Sequence, residues 1–508
     1  MSPYGTKNFP AAIRPSRSKA AAALLAAGLL RMGLFPSPGF ADANPNQEID
    51  RPYTLRLEDP LVLEGEIARQ IRSDGPMSFI FPRPCFSELD SSKVCGESHG
   101  FTYLDPVRNR RLSVSPVAGY QYRYRGENVN AFEGGGRISG GTGIISFQLD
   151  ARTFTEMHED PIPVSYDREP VDRQDQKSSG SVAYSSFSRY RAAVAFDFPW
   201  ARIAAGRDAV HWGPGLITNL SFNRNAVPFN QATWLSHIGP ISVISLYGRL
   251  AIDGDSLGGY DHNLNTRSIY AHRYEWQASK NLLLGVSEQL VVYNQEDPFA
   301  FIPVIPLFIL KGTGVERANN GNISTDFAYR FPGLATVYSE FLIDDLQSPT
   351  SIFNDYWGNK WAWMAGVHLV HGVPGGNAGL VLEYSRVEPW VYTHYRPGTA
   401  QTANAGIPLG NPLGANSQWI AIKPYFKGAG NWFASAQADF IWKGADLGSF
   451  LNDTIVDESI PKSFLQGVDG PEIRVTPAVS YKWRSVFVEA AATLARRTGL
   501  SARIQYQY

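Results

Sequence analysis

Histidine, tryptophan, arginine and aspartate crowd into one stretch of this sequence, GRDAVHWGPGLITNLSFNRNAVPFN, from Gly206 to Asn230. Gly213-Pro214-Gly215 cannot continue as regular strand, because proline removes a ladder donor and glycine permits turns that other residues resist. Trp212 stands just before this turn and offers a flat apolar face. Arg207, Asp208, His211 and Asn225 flank it with hydrogen-bonding groups. Aromatic faces stack on sugar rings, and arginine, aspartate and asparagine side chains bond hydroxyls, so the stretch could hold a carbohydrate. The alternative is a bend in the scaffold with Trp212 packed against it.

Two further clusters invite the same question. In YSEFLIDD, from Tyr338 to Asp345, Glu340 and Asp344 share a face at period two. Paired carboxylates can bind calcium or act as acid and base; as charges at a solvent-facing strand end they need do neither. EYSRVEPWVYTH, from Glu383 to His394, supplies Trp390, Tyr392 and His394, and GIPLGNPLGANS follows at Gly406 to Ser417. A loop this rich in aromatics, glycine and asparagine suits carbohydrate. Enzyme signatures are weaker. There is no H-E-x-x-H and no Walker loop, and nothing orients the nine scattered histidines into a triad. The chain reads as a non-enzyme, with no cofactor and no metal site implied.

The elements that must position these residues read as strands. From about Leu112 the pattern has period two. Tyr120, Tyr122 and Tyr124 alternate with Gln121, Arg123 and Arg125; Ile145, Phe147 and Leu149 alternate with Ser146, Gln148 and Asp150; Trp432, Ala434, Ala436, Ala438, Phe440 and Trp442 alternate with Ser435, Gln437 and Asp439. Such alternation marks strands with one apolar and one polar face. Apolar faces that begin or end in Trp or Tyr match the aromatic girdles of a membrane barrel. The sequence closes on Leu500, Ala502, Ile504, Tyr506 and Tyr508 at alternate positions, similar to the signal by which outer-membrane proteins are handed to the barrel-assembly machinery.

About 18 strands can be laid out. Short links fall at Gly140-Gly141, Pro199-Trp200, Ser279 to Asn281, Pro332-Gly333, Val373 to Gly376 and Gly428 to Gly430. Long ones span roughly 155–181, 253–266, 294–321, 345–360, 389–416 and 443–470. Bacterial barrels join their strands by short periplasmic turns and longer outer loops, so an even strand count with both termini periplasmic puts every long link outside. The polar faces, with Arg123, Asp150, Arg152, Asp197, Arg249, Glu340, Asp344, Glu383 and Asp439 among them, then line the lumen. Most of these charges are expected to pair along the wall. A porin or substrate-specific channel would also have such a wall.

Composition agrees. Charged residues are 18% and aromatics 13% of the 508 residues, with 47 glycines and a formal net charge of −1. Low charge and abundant aromatics without a long apolar run fit a barrel. No basic run exists to hold nucleic acid. Residues 1–43 read as a signal peptide: Arg14, Arg17 and Lys19, then apolar Ala20 to Leu30, then Ala41-Asp42-Ala43 as the cleavage pattern, so the mature chain is expected to begin at Asn44. Residues 44–111 form an N-terminal periplasmic or plug segment, with Leu61 to Ile71 at helical spacing, and residues 112–508 form the barrel. Cys85 and Cys95 are the only cysteines. In an oxidising periplasm they are expected to form one disulfide; the alternative, a metal pair, has only His99 nearby as a further ligand.

Taken together, HWGPG, the N-x-x-F-N-R-N-A-V-P-F run from Asn219 to Phe229, YSEFLIDD, EYSRVEPWVYTH and PLGNPLGANS resemble the Wzi-like capsule assembly proteins over about 206–417. The resemblance implies an outer-membrane barrel of about 18 strands in a Gram-negative bacterium, with an N-terminal helical segment on the periplasmic side. It implies binding of exopolysaccharide, help in attaching or assembling capsule at the cell surface, and no catalysis. The expected partners are surface polysaccharide and outer-membrane lipid. Motif positions Arg207, Asp208, His211, Trp212, Asn225, Trp390, Tyr392 and His394 are the candidate glycan contacts.

Overall fold

The computed structural model describes residues 80–81, 101–105, 110–124, 128–158, 174–179, 182–224, 226–251, 266–294, 296–311, 319–396, 398–453, 461–468, 470–495 and 499–507. The expected signal peptide, the expected Leu61 to Ile71 helix, the expected Cys85–Cys95 disulfide, Asn225 and the terminal Tyr508 lie outside these residues.

Alternation of apolar and polar side chains becomes strand throughout. The wall consists of β1 (Arg110–Tyr124), β2 (Asn128–Thr142), β3 (Ile145–His158), β4 (Val182–Asp197), β5 (Ala201–Asp208), β6 (Phe229–Ile238), β7 (Ile241–Leu250), β8 (Arg267–Ser279) and β9 (Leu282–Tyr293). It continues through β10 (Asn320–Phe331), β11 (Ala335–Asp345), β12 (Lys360–Val373), β13 (Gly376–Val387), β14 (Ser417–Gly428), β15 (Trp432–Lys443), β16 (Glu472–Trp483), β17 (Val486–Thr493) and β18 (Gly499–Gln507). Each pairs antiparallel with the next, and β18 pairs back onto β1, Gln507 opposite Val117, closing the barrel. Two shorter strands, Phe101–Asp105 and Gln174–Ser179, extend the edges of β1 and β4.

The wall is inside-out compared with a soluble barrel. On β10, Asn322, Ser324, Asp326 and Arg330 are buried toward the lumen, whereas Ile323, Phe327, Tyr329 and Phe331 are exposed on the outside. Lipid solvates the outer face, so apolar side chains there gain by facing outward. Among the described residues, no helix is long and apolar enough to cross a membrane.

Connections sort by end. At one end lie tight turns at 143–144, 198–200, 239–240, 280–281, 332–334, 374–375, 429–431 and 484–485. Gly333 and Gly375 take φ of +73° and +83° there, a region glycine enters without Cβ strain. Trp200, Trp276, Trp432 and Trp483 are exposed near these turns and make the expected girdle. The long links at 159–181, 209–228, 251–266, 294–319, 346–359, 388–416 and 444–471 all leave the opposite end. Two details differ from expectation. Strand β2 runs on through Gly140-Gly141 to Thr142, so that turn sits three residues later. Arg249 points away from the lumen and pairs with Glu296 outside it, because the inward row of β7 is the even one, Ile244 and Leu246.

Candidate functional site

The stretch after β5 does not stay at the rim. It turns into the lumen, and the local sequence explains how. Gly213 has φ of +113°, Pro214 withholds an N–H, and a Cβ on Gly215 would lie 1.7 Å from the Thr218 carbonyl oxygen. Asn219 closes the turn: its Oδ1 accepts from the Gly215 N–H at 2.7 Å. Compact turns of this kind leave backbone donors without partners, and burying them unpaired costs about 1–3 kcal/mol each.

Two wall carboxylates supply the partners. Glu383 on β13 accepts the successive N–H groups of Leu216 (2.5 Å), Ile217 (3.0 Å) and Thr218 (2.9 Å). Glu340 on β11 accepts the N–H groups of Leu220 (2.7 Å) and Ser221 (3.0 Å) and the Ser221 hydroxyl (2.7 Å). Both glutamates are buried. Across the lumen, Gln289 on β9 donates to the Ser221 carbonyl at 2.9 Å. Leu216 and Ile217 pack against Val370, Val381, Tyr425 and Phe433 on one wall, while Trp212 and Phe222 pack against Ile244, Leu246, Ile269 and Val291 on the other. The segment therefore spans the bore as a plug.

A second loop, 388–416, locks the first in place. Tyr392 is its hub. Its N–H donates to Asp344 Oδ2 at 2.7 Å, its hydroxyl donates to the Leu220 carbonyl at 2.8 Å, and the Asn411 N–H donates to the same phenol oxygen at 3.0 Å. Burial pushes the Tyr392 phenol above the usual tyrosine range, and the Glu340 and Asp344 carboxylates push the same way, against the Asn411 N–H. It therefore acts as a neutral donor. Trp390 and Tyr392 hold φ of +72° and +68°, strain that the surrounding contacts must enforce. Elsewhere Asn223 N–H donates to the Leu409 carbonyl at 2.7 Å, and Asn404 Nδ2 donates to that of Val227 at 3.2 Å. From the N-terminal segment, Ile80 and Phe81 pair with Trp212 and His211.

The family described as "Capsule assembly protein Wzi" matches residues 146–436, more than half of the chain. This chain belongs to the Wzi capsule assembly family. Among solved structures, it is similar to Wzi of Escherichia coli, an outer-membrane protein involved in group 1 capsule assembly and a carbohydrate-binding β-barrel. That likeness has a TM-score of 0.50 at 14% identity and covers 78% of this chain and 84% of that one. OccK5 of Pseudomonas aeruginosa has a TM-score of 0.43 at 10% identity, covering 78% and 97%. A BenF-like porin of Pseudomonas fluorescens Pf-5 has 0.44 at 10% identity, covering 78% and 98%. No curated protein matches the chain.

In this Wzi-family barrel the candidate residues separate. Trp212 is 2% exposed, its ring 4.9 Å from that of Phe222 in an edge contact. Both of its faces are covered by protein, so here it packs; it does not present the open platform that the sequence suggests. Buried His211 lies within 3.0 Å of Asn219 Nδ2 through its ring nitrogen. Trp390 and Tyr392 are buried in the second loop. Arg207 faces the outside of the wall, over the Tyr190 ring at 5.2 Å, away from Trp212. Asp208 faces inward, and its Oδ1 accepts from the Ala209 N–H at 2.8 Å where the plug begins. His394 is buried, with Nδ1 2.8 Å from the Thr399 hydroxyl.

Glu340 and Asp344 also differ from the solvent-facing charges described above: both point inward and are occupied by backbone donors. The wall pairing expected for the other charges is present at Arg152, which bonds Asp150 and Glu133, and at Arg273, which bonds Asp326 through two nitrogens at 2.7 and 3.0 Å. Among the described residues, no group of three or more His, Cys, Asp or Glu could hold a metal ion. One G-x-S-x-G pattern does occur in the sequence, Gly96 to Gly100; it lies outside the described residues, and a nucleophile elbow also requires a strand-turn-helix setting.

Two residues outside the candidate set lie on the same loop. Tyr395 and Arg396 are exposed, with the guanidinium 5.4 Å from the Tyr395 ring centre. His394 packs against the same ring at 4.4 Å between centroids. They immediately follow the motif that ends at His394.

Proposed function

We propose that this protein binds exopolysaccharide at the cell surface and helps attach or assemble capsule there, with the long-loop end facing outward. The observation that carries this reading, beside family membership, is the filled lumen. A plug held by Glu340, Glu383 and Tyr392 suits a rigid surface platform better than an open diffusion channel. The glycan contacts are assigned to the outer edge of the 388–416 loop: Tyr395 as stacking face, Arg396 as an N–H donor to sugar hydroxyls or carboxylates. His394 supports the ring. Trp212, Tyr392 and Trp390 hold the platform from beneath, and Asp208 and His211 fix the plug's entry.

The test is twofold. Deleting the gene should lower cell-associated polysaccharide, and the purified barrel should bind capsular polysaccharide from its own strain. Unchanged polysaccharide together with no binding would end this reading.

A further inference from the structure

The 294–319 link contains Pro298 to Leu310, PFAFIPVIPLFIL, thirteen residues without one polar side chain. It does not stand up from the rim. It folds down the outside of the barrel over β7, β8 and β9. The alternate positions of these strands prove the side: Leu246, Ala271 and Val291 pack on the plug within, so Ser245, Tyr270, His272, Tyr274 and Glu288 face out. Those are the side chains that hold the flap. Ser245 donates to the Phe301 carbonyl and Tyr274 to that of Pro303. Leu307 N–H donates to Glu288 Oε2 at 2.7 Å, and Ala300 and Leu307 are buried against Tyr270, Leu290 and Val292.

The depth is considerable. Tyr274 lies seven residues along β8 from Arg267 at the long-loop rim, which at ~3.4 Å per residue and a tilt of about 40° is roughly 18 Å down the wall. The apolar band of such a barrel is only ~25 Å tall. Irregular backbone at that depth is tolerated only where its polar groups are satisfied. Here they largely are. Pro298, Pro303 and Pro306 have no N–H to satisfy. Phe299 donates to Asp297 Oδ1, Ala300 to the Asp297 carbonyl, Ile302 to Phe299, Ile305 to Ile302, and Ile309 to Pro306, all at 3.0–3.1 Å. The outward side chains are then apolar and bare: Val304 is 82% and Phe308 68% exposed.

We infer that residues 298–310 are an intramembrane flap whose outer face contacts lipid acyl chains, replacing β7–β9 as the lipid-facing surface and sealing their polar side chains from hydrocarbon. The chemistry fits acyl chains because the face has no hydrogen-bonding group to offer and is continuous with the exposed apolar wall. It is independent of what the long-loop end binds.

Full-length protein in phosphatidylcholine vesicles tests this. Val304→Cys and Phe308→Cys, made with Cys85→Ser and Cys95→Ser and checked for wild-type heat-modifiable mobility, carry an environment-sensitive fluorophore. Thr350→Cys in an outer loop and Val479→Cys on the lipid-facing wall are the comparators. The flap labels should match position 479: blue-shifted emission, loss of signal with acyl-chain nitroxide lipid, and no loss with iodide. Labels that match position 350 overturn the proposal. So do labels shielded from both quenchers until the protein is diluted in lipid, which would assign the face to a second copy. Replacing Phe308 by p-benzoylphenylalanine keeps both cysteines; photolysis should give phospholipid adducts by mass spectrometry, and protein adducts alone would equally overturn the idea.

Discussion

The hydroxyl of Tyr338 donates to Oε1 of Glu383 at 2.8 Å, deep inside the barrel, and the same carboxylate gathers three successive backbone N–H groups of the plug. A single wall side chain thus fixes the middle of a loop that begins and ends at the rim.

Removing that grip should open the bore. The wild-type protein should give little or no steady current in planar bilayers. Glu383→Ala with Glu340→Ala leaves at least five plug N–H groups without their acceptors, at about 1–3 kcal/mol each if they stay buried. The plug should leave, and large steady openings should follow. Large openings from the wild type would show that the plug does not block conduction.

Tyr392→Phe removes a donor to the Leu220 carbonyl and an acceptor for Asn411. Thermal unfolding in detergent should report a loss of roughly 1–3 kcal/mol. The phenol's proton affinity is raised in the folded state, so its contribution is fully present below the ordinary tyrosine range near ~10 and fades only as pH rises beyond it. Wild type and Tyr392→Phe should therefore differ by a constant amount from pH 6 to 9; a gap that closes within that window contradicts the assignment.

Trp212→Ala empties a packed site between Phe222 and the β7–β9 wall. The expected cost is about 3–5 kcal/mol, read as a lower melting temperature. Glycan binding should fall only in proportion to the loss of folded plug. A selective loss of binding at unchanged stability would restore Trp212 to the role of a direct contact.

Tyr395→Ala and Arg396→Ala should do the reverse. Both side chains are exposed, so stability should stay within about 0.5 kcal/mol, while affinity for the strain's own polysaccharide should drop several-fold. Equal affinity in both variants would move the binding face elsewhere on the long-loop end.

Much of the scaffold is legible in the sequence, because lipid outside and polar contacts inside impose a strict period of two. The long links, the girdle tryptophans and the even strand count follow from that rule. Which way a loop goes at the rim obeys no such period. Gly213-Pro214-Gly215 announces a bend, but that it turns inward depends on Glu340 and Glu383, more than a hundred residues away and visible beforehand only as two of many polar-face charges. The flap over β7–β9 was hidden for a similar reason. Its thirteen apolar residues show no strand alternation, and the polar side chains beneath it, Ser245, His272 and Glu288, break the outward pattern only once their face is known. Tyr395 and Arg396 do not stand out in the sequence, because the aromatic motif ends at His394 and its residues are the buried ones.

The pairing of Ile80 and Phe81 with Trp212 and His211 has a mechanical meaning. The plug loop descends from the rim that carries the long links, while Phe101–Asp105 pairs with β1 at the opposite rim. A piece of the N-terminal segment and the plug are thus joined by backbone pairing inside the tube. Pulling on either one should load the other, so the N-terminal segment and the plug form one mechanical unit.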